Sequence, residues 1–333
     1  MAEEGHHVVV DQQKAFLEAL QNVKKVPYQN AWKLLQAAQE NQPHPSVAFE
    51  REILKPDQIA TNRYKSVPCN DYHRVTINGS YIHANYIKNA AGKNVMIATQ
   101  GPLESTLYDF WKMVIQERSP IIVMLCEVIE DKFDVEKQEM IATQKSFGYW
   151  PTEITTPIQA KHLDIFAERI QEIVFIIGTK REKIILSELK IVDRRTKKII
   201  HKIDHFQYLN WKDQSVPETT DPIMHLYKHY ILPAMKKKGG GPIIVHCSAG
   251  IGRTGVFVGA LFCLDLFLHR QLVSMPRAIT MLRRQRGKAI QGIAQYTYLH
   301  LLLFELIENA TGKSLTDLKK KFELILLKCK PKD

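Results

Sequence analysis

The sequence predicts an α/β protein, because strand-like and helical segments alternate along most of the chain. Apolar runs typical of strands occur at 94–99, 121–126, 172–178, 183–192 and 197–208. Apolar residues at helical spacing occur at 105–118, 222–236, 254–270, 274–284 and 295–309. A chain of 333 residues could form one large domain or two small ones. The regular spread of motifs favours one domain, over residues 46–312.

Both ends of the chain are predicted to be helical. Residues 1–45 form an N-terminal helical extension, in which the periodicity is interrupted by Pro27, and we expect these helices to pack outside the main domain. Residues 313–333 form a basic amphipathic helix or tail with seven lysines. This helix either docks on the domain or makes a weak contact with a membrane surface or an acidic partner.

Composition limits the class of protein. The chain has no run of 18 apolar residues, and residues 1–10 lack a basic start and an apolar core, so we expect a cytoplasmic protein. Five cysteines are scattered without paired spacing, which suggests neither a disulfide framework nor a zinc site. We therefore expect no metal and no cofactor.

The charge of the chain is basic, with 46 Lys and Arg against 35 Asp and Glu and a formal net charge of +11. No segment interleaves basic residues with aromatic ones, so we expect no nucleic-acid binding. Basic clusters occur at 236–238 and 283–286. They are either a solvated surface or a means of attracting an acidic, phosphorylated partner.

The most informative segment is 243–255, which reads IIVHCSAGIGRTG. Its β-branched start predicts a buried strand that ends at His246 and Cys247. Glycines at positions 250, 252 and 255 then surround Arg253. Helical periodicity begins at Thr254, so the segment predicts a strand, a tight loop and a helix N-terminus in direct succession.

This junction suits an oxyanion. Glycines let successive backbone N–H groups turn inward, and the helix N-terminus adds partial positive charge. Arg253 can hold two phosphate oxygens through its planar fork. The same field favours the thiolate form of Cys247, which is the nucleophilic form. A Walker nucleotide-binding loop would need Lys-Ser or Lys-Thr after its last glycine, and neither is present here. The competing interpretation is a buried cysteine beside a glycine-rich turn.

The segment HCSAGIGRTG resembles the phosphate-binding signature of the cysteine-dependent protein tyrosine phosphatases, in their classical, phosphotyrosine-specific, non-receptor branch. Other segments match that family in its order: NRY at 62–64, YIHANYI from 81, IATQGPL from 97, FWKMV from 110, YWP at 149–151, NWKD from 210 and QGIAQY from 291. The resemblance covers about residues 48–310. It implies a single phosphatase domain with a twisted, mixed central β-sheet flanked by helices on both faces.

The resemblance also implies the catalytic roles. Cys247 is the nucleophile, Arg253 clamps the phosphate and Asp213 is the general acid on a closing loop. Gln295 and Gln291 hold the water of the second step. The phosphate cradle is formed by Ser248, Ala249, Gly250, Ile251, Gly252 and Arg253.

Substrate choice is implied by Tyr64, which matches the aromatic wall of a cleft so deep that only phosphotyrosine reaches the thiol. The partners implied are phosphotyrosine-containing proteins, with a role in signal transduction. Arg74, Arg283 and Arg286 match arginines that brace the loops. His246 either tunes the thiolate by hydrogen bonding or is a satisfied core histidine.

Several positions depart from the family pattern. Lys212 replaces the proline of WPD, where it removes a backbone restraint and places a cation beside Asp213. Ser215 stands where the family has a glycine, and Gly292 stands where it has a threonine. Ser66 stands where the family has an acidic residue that holds the substrate backbone. Lys145 matches a pocket lysine, and the nearest glutamate to the expected position is Glu139. These changes are expected to weaken catalysis. The alternative function is therefore that of a weakly active or inactive relative that binds and shields phosphotyrosine proteins.

Overall fold

The computed structural model describes residues 11–40, 45–56, 60–134, 138–237 and 239–329. Its strands are β1 (Ala84–Lys88), β2 (Asn94–Thr99), β3 (Ile121–Met124), β4 (Ile129–Asp134), β5 (Glu139–Gln144), β6 (Ile158–Ala160), β7 (Leu163–Ile177), β8 (Lys180–Asp193), β9 (Lys198–Tyr208) and β10 (Ile243–His246). Its helices are α1 (Gln12–Gln21), α2 (Lys25–Glu40), α3 (Val47–Ile53), α4 (Leu107–Gln116), α5 (Asp221–Leu226), α6 (Leu232–Lys236), α7 (Arg253–Leu268), α8 (Met275–Gln285), α9 (Ile293–Thr311) and α10 (Thr316–Cys329). A π-helical turn, Tyr227–Ile231, joins α5 to α6.

The main sheet is mixed, as predicted, and is flanked by helices. Its strand order is β1-β2-β10-β3-β9-β8-β7-β6. The central strands β2, β10, β3 and β9 are parallel, whereas β1 on one side and β8, β7 and β6 on the other pair antiparallel. All four residues of β10 are buried, which explains their continuous apolar and β-branched character. The loop after β10 therefore leaves the middle of the sheet at its carboxyl edge, where open α/β sheets commonly bind ligands.

A separate two-stranded sheet is formed by β4 and β5, which pair antiparallel from Ile129↔Gln144 to Asp134↔Glu139. The strand pattern is absent from the sequence here, because charged and apolar residues do not alternate regularly over 129–144. This hairpin leads directly into Lys145 and projects from the carboxyl end of β3.

Two predicted boundaries were wrong. Strand β7 begins at Leu163, well before the predicted start at 172, because its first half alternates buried apolar residues with half-exposed ones rather than forming an apolar run. Pro27 does not interrupt a helix but lies in the first turn of α2, where the missing N–H needs no intrahelical partner. The break between the two N-terminal helices falls instead at residues 22–24.

The N-terminal helices pack on the domain and share its apolar core. Phe16 and Leu20 of α1 and Trp32 of α2 are buried in the same apolar cluster as the sheet and α9. The apolar face of α10 is buried there too, with Phe322 fully covered. The docked alternative for this helix is thus the one that the structure adopts. Within the described ranges, no helix combines the length and apolarity needed to span a membrane.

Candidate active site

The predicted strand–loop–helix junction is confirmed. Strand β10 ends at His246, the loop runs from Cys247 to Gly252, and α7 begins at Arg253. Cys247 is only 3% exposed and lies in the loop that precedes the N-terminus of α7. The positive end of the helix dipole therefore lies close to the thiol and to any anion bound above it.

The backbone carbonyls of this loop point away from its centre and accept hydrogen bonds from the surrounding residues. Gly101 N–H donates to the Ser248 carbonyl at 2.8 Å, and Ile290 N–H donates to the Ile251 carbonyl at 2.8 Å. The Arg286 guanidinium donates to the carbonyls of Ala249 and Gly250, both at 3.0 Å. Because the peptide units point their carbonyls outward, their N–H groups turn toward the centre, which makes the loop an anion cradle.

Two cradle positions require glycine for different reasons. Gly250 has a φ of +70°, and a Cβ there would lie 2.0 Å from the Thr99 carbonyl oxygen. At Gly252, a Cβ would lie 2.3 Å from Gln291 Oε1 and 3.1 Å from Gln295 Nε2. The first glycine lets the cradle pack on the sheet, and the second lets both glutamines approach the phosphate position.

Arg253 is held in place by one nitrogen. Its Nη1 donates to Glu130 Oε1 at 2.5 Å and to the Trp211 carbonyl at 2.7 Å. Its Nε and Nη2 are buried and have no hydrogen-bond acceptor among the described residues. Such unpaired donors cost free energy, which two oxygens of a bound phosphate would recover.

The protonation of Arg253 is secure. Burial opposes its charge, but electrostatic interactions with neighbouring groups, led by Cys247 and supported by Glu130, raise the pKa of the guanidinium above its ordinary value. The glutamate that pairs with Arg253 is Glu130 in β4, and not Glu139, the glutamate nearest to the position expected from the family. Glu139 is exposed in β5, at the far end of the hairpin. The sequence signal that could have identified Glu130 is its position, six residues after the end of β3 at Met124.

Asp213 lies against the cradle. Its Oδ2 accepts from Lys145 Nζ at 2.9 Å, and its Oδ1 lies 3.4 Å from Arg253 Nη2. Burial raises the pKa of this carboxyl, but Arg253 and Lys145 outweigh burial and lower the pKa overall. The cations beside Asp213 are therefore Lys145 and Arg253, which corrects the expectation that Lys212 would set its charge.

The loop that carries Asp213, named the acid loop after its predicted role, forms a tight turn over residues 211–215. Ser215 donates to the Lys212 carbonyl from its N–H at 3.3 Å and from its hydroxyl at 2.8 Å. Trp211 Nε1 donates to the Ser215 carbonyl at 2.9 Å. The left-handed conformation falls on Gln214, with a φ of +56°, and not on Ser215. Ser215 is thus accommodated without strain, and its hydroxyl adds a bond that glycine lacks.

Tyr64, Gln291 and Gln295 also lie against the cradle, whereas Ser66 lies on the surface. The Tyr64 hydroxyl hydrogen-bonds Ser248 Oγ at 2.8 Å, which fixes the ring at the edge of the loop. Gln291 N–H donates to Gln295 Oε1 at 2.9 Å, so the two glutamines form one unit. Ser66 is exposed, and its carbonyl accepts from Lys288 Nζ at 2.8 Å.

His246 is a satisfied core histidine. Its Nδ1 lies 2.9 Å from the Cys247 carbonyl, which can only accept, so Nδ1 carries the proton. Its Nε2 then accepts from the Tyr149 hydroxyl at 2.6 Å, and Tyr149 in turn accepts from His205 at 2.7 Å. Burial lowers the pKa of His246 to about 4. At neutral pH it therefore fixes the backbone of Cys247 without adding charge.

Comparison with known proteins agrees with this geometry. The model of the family described as protein-tyrosine phosphatase matches residues 58–305, which is most of the chain. Tyrosine-protein phosphatase non-receptor type 5 of Mus musculus is 35% identical over 263 residues, which is 75% of this chain and 43% of the relative. Non-receptor type 7 of Homo sapiens is 32% identical over 284 residues, which is 79% of this chain and 72% of the relative. The chain thus spans less than half of the type 5 relative.

Solved structures give the same result. The catalytic domain of human protein tyrosine phosphatase non-receptor type 18 is 26% identical, with a TM-score of 0.71, and covers 93% of this chain and 99% of its own. A second structure, of that phosphatase in complex with phosphopeptides, is 25% identical with a TM-score of 0.72 and covers 88% and 98%. The chain belongs to the protein-tyrosine phosphatase family. Its similarity to types 5, 7 and 18 confirms the resemblance to the classical, non-receptor members.

Proposed function

We propose that the chain hydrolyses phosphotyrosine in proteins through a cysteinyl-phosphate intermediate. The observation that carries the proposal is the guanidinium of Arg253, which is 1% exposed and keeps two hydrogen-bond donors without an acceptor in the described chain. These donors belong to the first residue of α7. This residue directly follows the cradle, the loop that begins at Cys247 and whose carbonyls accept hydrogen bonds from groups outside it. A buried, fixed cation with two donor nitrogens that form no hydrogen bond in the described chain is suited to a dianion with equivalent oxygens.

The first step would transfer the phosphoryl group to sulfur. The Cys247 thiolate attacks phosphorus, the S–P bond forms, and the bond from phosphorus to the tyrosine oxygen breaks. Arg253 and the cradle amides hold the equatorial oxygens throughout. Asp213, on the loop that faces the cradle, donates its proton to the departing oxygen, so that a neutral phenol leaves.

The second step would release phosphate. A water held by Gln295 and Gln291 attacks phosphorus, and the S–P bond breaks to regenerate the thiolate. Asp213, now ionised, accepts the proton from that water. The approach of both glutamine side chains to Gly252 supports this role.

The proposed substrates are phosphotyrosine-containing proteins. The bond from Tyr64 to Ser248 supports a rigid aromatic wall beside the cradle. The type 18 phosphatase is seen with phosphopeptides, which supports the same class of ligand here. A cytoplasmic location and a role in signal transduction stay predictions. The placement of the Asp213 carboxyl at the cradle, with Oδ1 3.4 Å from Arg253 Nη2, supports hydrolysis over the alternative, a module that only binds and shields phosphotyrosine.

The proposal is tested with a phosphotyrosyl peptide and three proteins. The wild-type protein should release phosphate. Cys247→Ser should abolish turnover while keeping peptide binding, because a serine hydroxyl is un-ionised at neutral pH and the cradle is unchanged. Cys263→Ser, a change at a fully buried cysteine in α7, is the matched control and should retain turnover. Binding without phosphate release by the wild-type protein would favour the binding module, and turnover by Cys247→Ser would refute the assigned nucleophile.

A further inference from the structure

Arg283 connects the N-terminal extension to the loop that carries the two glutamines. It lies in α8 and is only 3% exposed. Its Nε donates to the Ala289 carbonyl at 2.9 Å, and its Nη2 donates to the Ile290 carbonyl at 2.9 Å. One guanidinium thus holds the two peptide units that directly precede Gln291.

The same guanidinium is held from the other side by α2. Its Nη1 donates to the Leu35 carbonyl at 3.0 Å, and its Nη2 also donates to Gln36 Oε1. The Trp32 ring lies under it, 5.5 Å from ring centre to guanidinium carbon. Each end of this arginine is therefore fixed, one end by the glutamine loop and the other by α2.

A second contact joins α2 to the same site. Trp32 stacks on Tyr296 with ring centres 5.2 Å apart, and Tyr28 stacks on the same ring at 5.4 Å. Tyr296 directly follows Gln295 on α9. The aromatic cluster of Tyr28, Trp32 and Tyr296 therefore limits how the first turn of α9 can move.

The loop that these contacts hold is strained. Ile290 has a φ of +66°, which is a rare conformation for a β-branched residue, and its N–H donates to the Ile251 carbonyl of the cradle. A strained conformation persists only where its surroundings over-determine it. The Arg283 bonds to both adjacent carbonyls, backed by α2, are part of that restraint.

We propose that α2 is a positioning element for hydrolysis of the cysteinyl phosphate, acting through Arg283 and Tyr296 on the two glutamines. The proposal rests on the function proposed above. Helix α2 precedes residue 58, where the match to the family begins, so it lies outside the matched catalytic segment. Because α2 touches neither the nucleophile nor the acid loop in these contacts, its loosening should slow the second step and spare the first.

The test is transient kinetics with an aryl phosphate on full-length Gln36→Ala and Trp32→Ala. Slower hydrolysis of the intermediate lowers kcat and KM together and leaves kcat/KM unchanged, since kcat/KM ends with formation of the intermediate. We expect kcat to fall about threefold to tenfold with a burst of aryl alcohol approaching one equivalent per chain. Leu34→Ala, at a residue of the same helix that is 71% exposed, is the matched control and should match the wild-type protein.

The outcomes separate this proposal from the function itself. The role of α2 would be overturned if kcat/KM fell by the same factor as kcat, or if the kinetics of Gln36→Ala were unchanged. Gln36→Ala keeps the test valid if Trp32→Ala does not fold, because it removes one half-buried amide only. Absence of any aryl alcohol release by the wild-type protein would instead refute the proposed function.

Discussion

Asp213 presents an electrostatic conflict. As the general acid it must carry a proton, yet Arg253 and Lys145 outweigh the effect of burial and lower the pKa of its carboxyl. A bound phosphate dianion would offset the pull of Arg253 and leave Lys145 as the main cation in contact with the carboxyl. The rate of leaving-group release should therefore rise as the pH falls toward mild acidity.

Replacement of Lys145 by methionine tests this account. Loss of the ammonium removes a stabilising partner of the carboxylate, so the pKa of Asp213 rises. Because the general acid must be protonated, the reaction is fast only below its pKa. The alkaline limb of the pH–rate profile should therefore move to higher pH in this variant. The measurement is the single-turnover rate of aryl alcohol release against pH at saturating substrate.

The control for that experiment is Lys212→Met. Lys212 is exposed, and its charge is not among the main influences on the Asp213 carboxyl. We expect its alkaline limb to coincide with that of the wild-type protein. An equal shift in both variants, or none in Lys145→Met, would contradict the assignment of Lys145 as the controlling cation.

The acid loop contains two of the departures from the family pattern, Lys212 and Ser215. Its turn depends on the carbonyl of Lys212, which accepts both bonds from Ser215. A proline at position 212 keeps that carbonyl and restricts φ to about −65°, so it should reduce the conformations open to the loop when it is away from the site.

We expect Lys212→Pro to raise the rate of leaving-group release about tenfold, which corresponds to about 1.4 kcal/mol of barrier. Lys212→Ala removes the charge without the ring and should stay near the wild-type rate. The comparison is made on steady-state and single-turnover rates with one phosphotyrosyl peptide. If the alanine and proline variants gain equally, charge and not backbone restraint is the cause.

The β4–β5 hairpin shows why part of the site could not be predicted. It brings Glu130 to Arg253 and leads to Lys145, which pairs with Asp213. Cys247, Arg253 and the glycines occupy one local segment, so the sequence identifies them by spacing. The contacts of Glu130 and Lys145 join residues far apart in the chain, and the sequence of this hairpin carries no periodic signal for them.

At the scale of the molecule, both terminal helices are built into one core. Phe322 of α10 is fully buried, stacks on His300 at 4.7 Å between ring centres, and meets Phe304 and Tyr28 edge to face at 5.2 and 5.7 Å. The sequence predicted the helices from their periodicity. It could not predict which surface they cover, because amphipathicity gives a helix an apolar face without naming its partner.

The docked position of α10 predicts a large loss of stability on truncation of Phe322. Phe322→Ala should lower the free energy of unfolding by about 3 kcal/mol, through lost burial and the cavity left behind. Leu324→Ala, at a residue of the same helix that is 59% exposed, should change it by less than about 0.5 kcal/mol. Urea denaturation measures both, and a Phe322→Ala value as small as the control would mean that α10 does not pack on the domain in solution.

The central claim is that phosphate passes through a covalent bond to Cys247. The most direct test is rapid acid quenching of Gln295→Ala during turnover of an aryl phosphate, followed by peptide mass spectrometry. Loss of the glutamine slows attack by water, so the intermediate should accumulate. The account predicts close to one phosphoryl group per chain on the peptide that contains Cys247, and none in a Cys247→Ser, Gln295→Ala double variant. Phosphate release without any phosphorylated Cys247, or with the phosphoryl group on another residue, would contradict it.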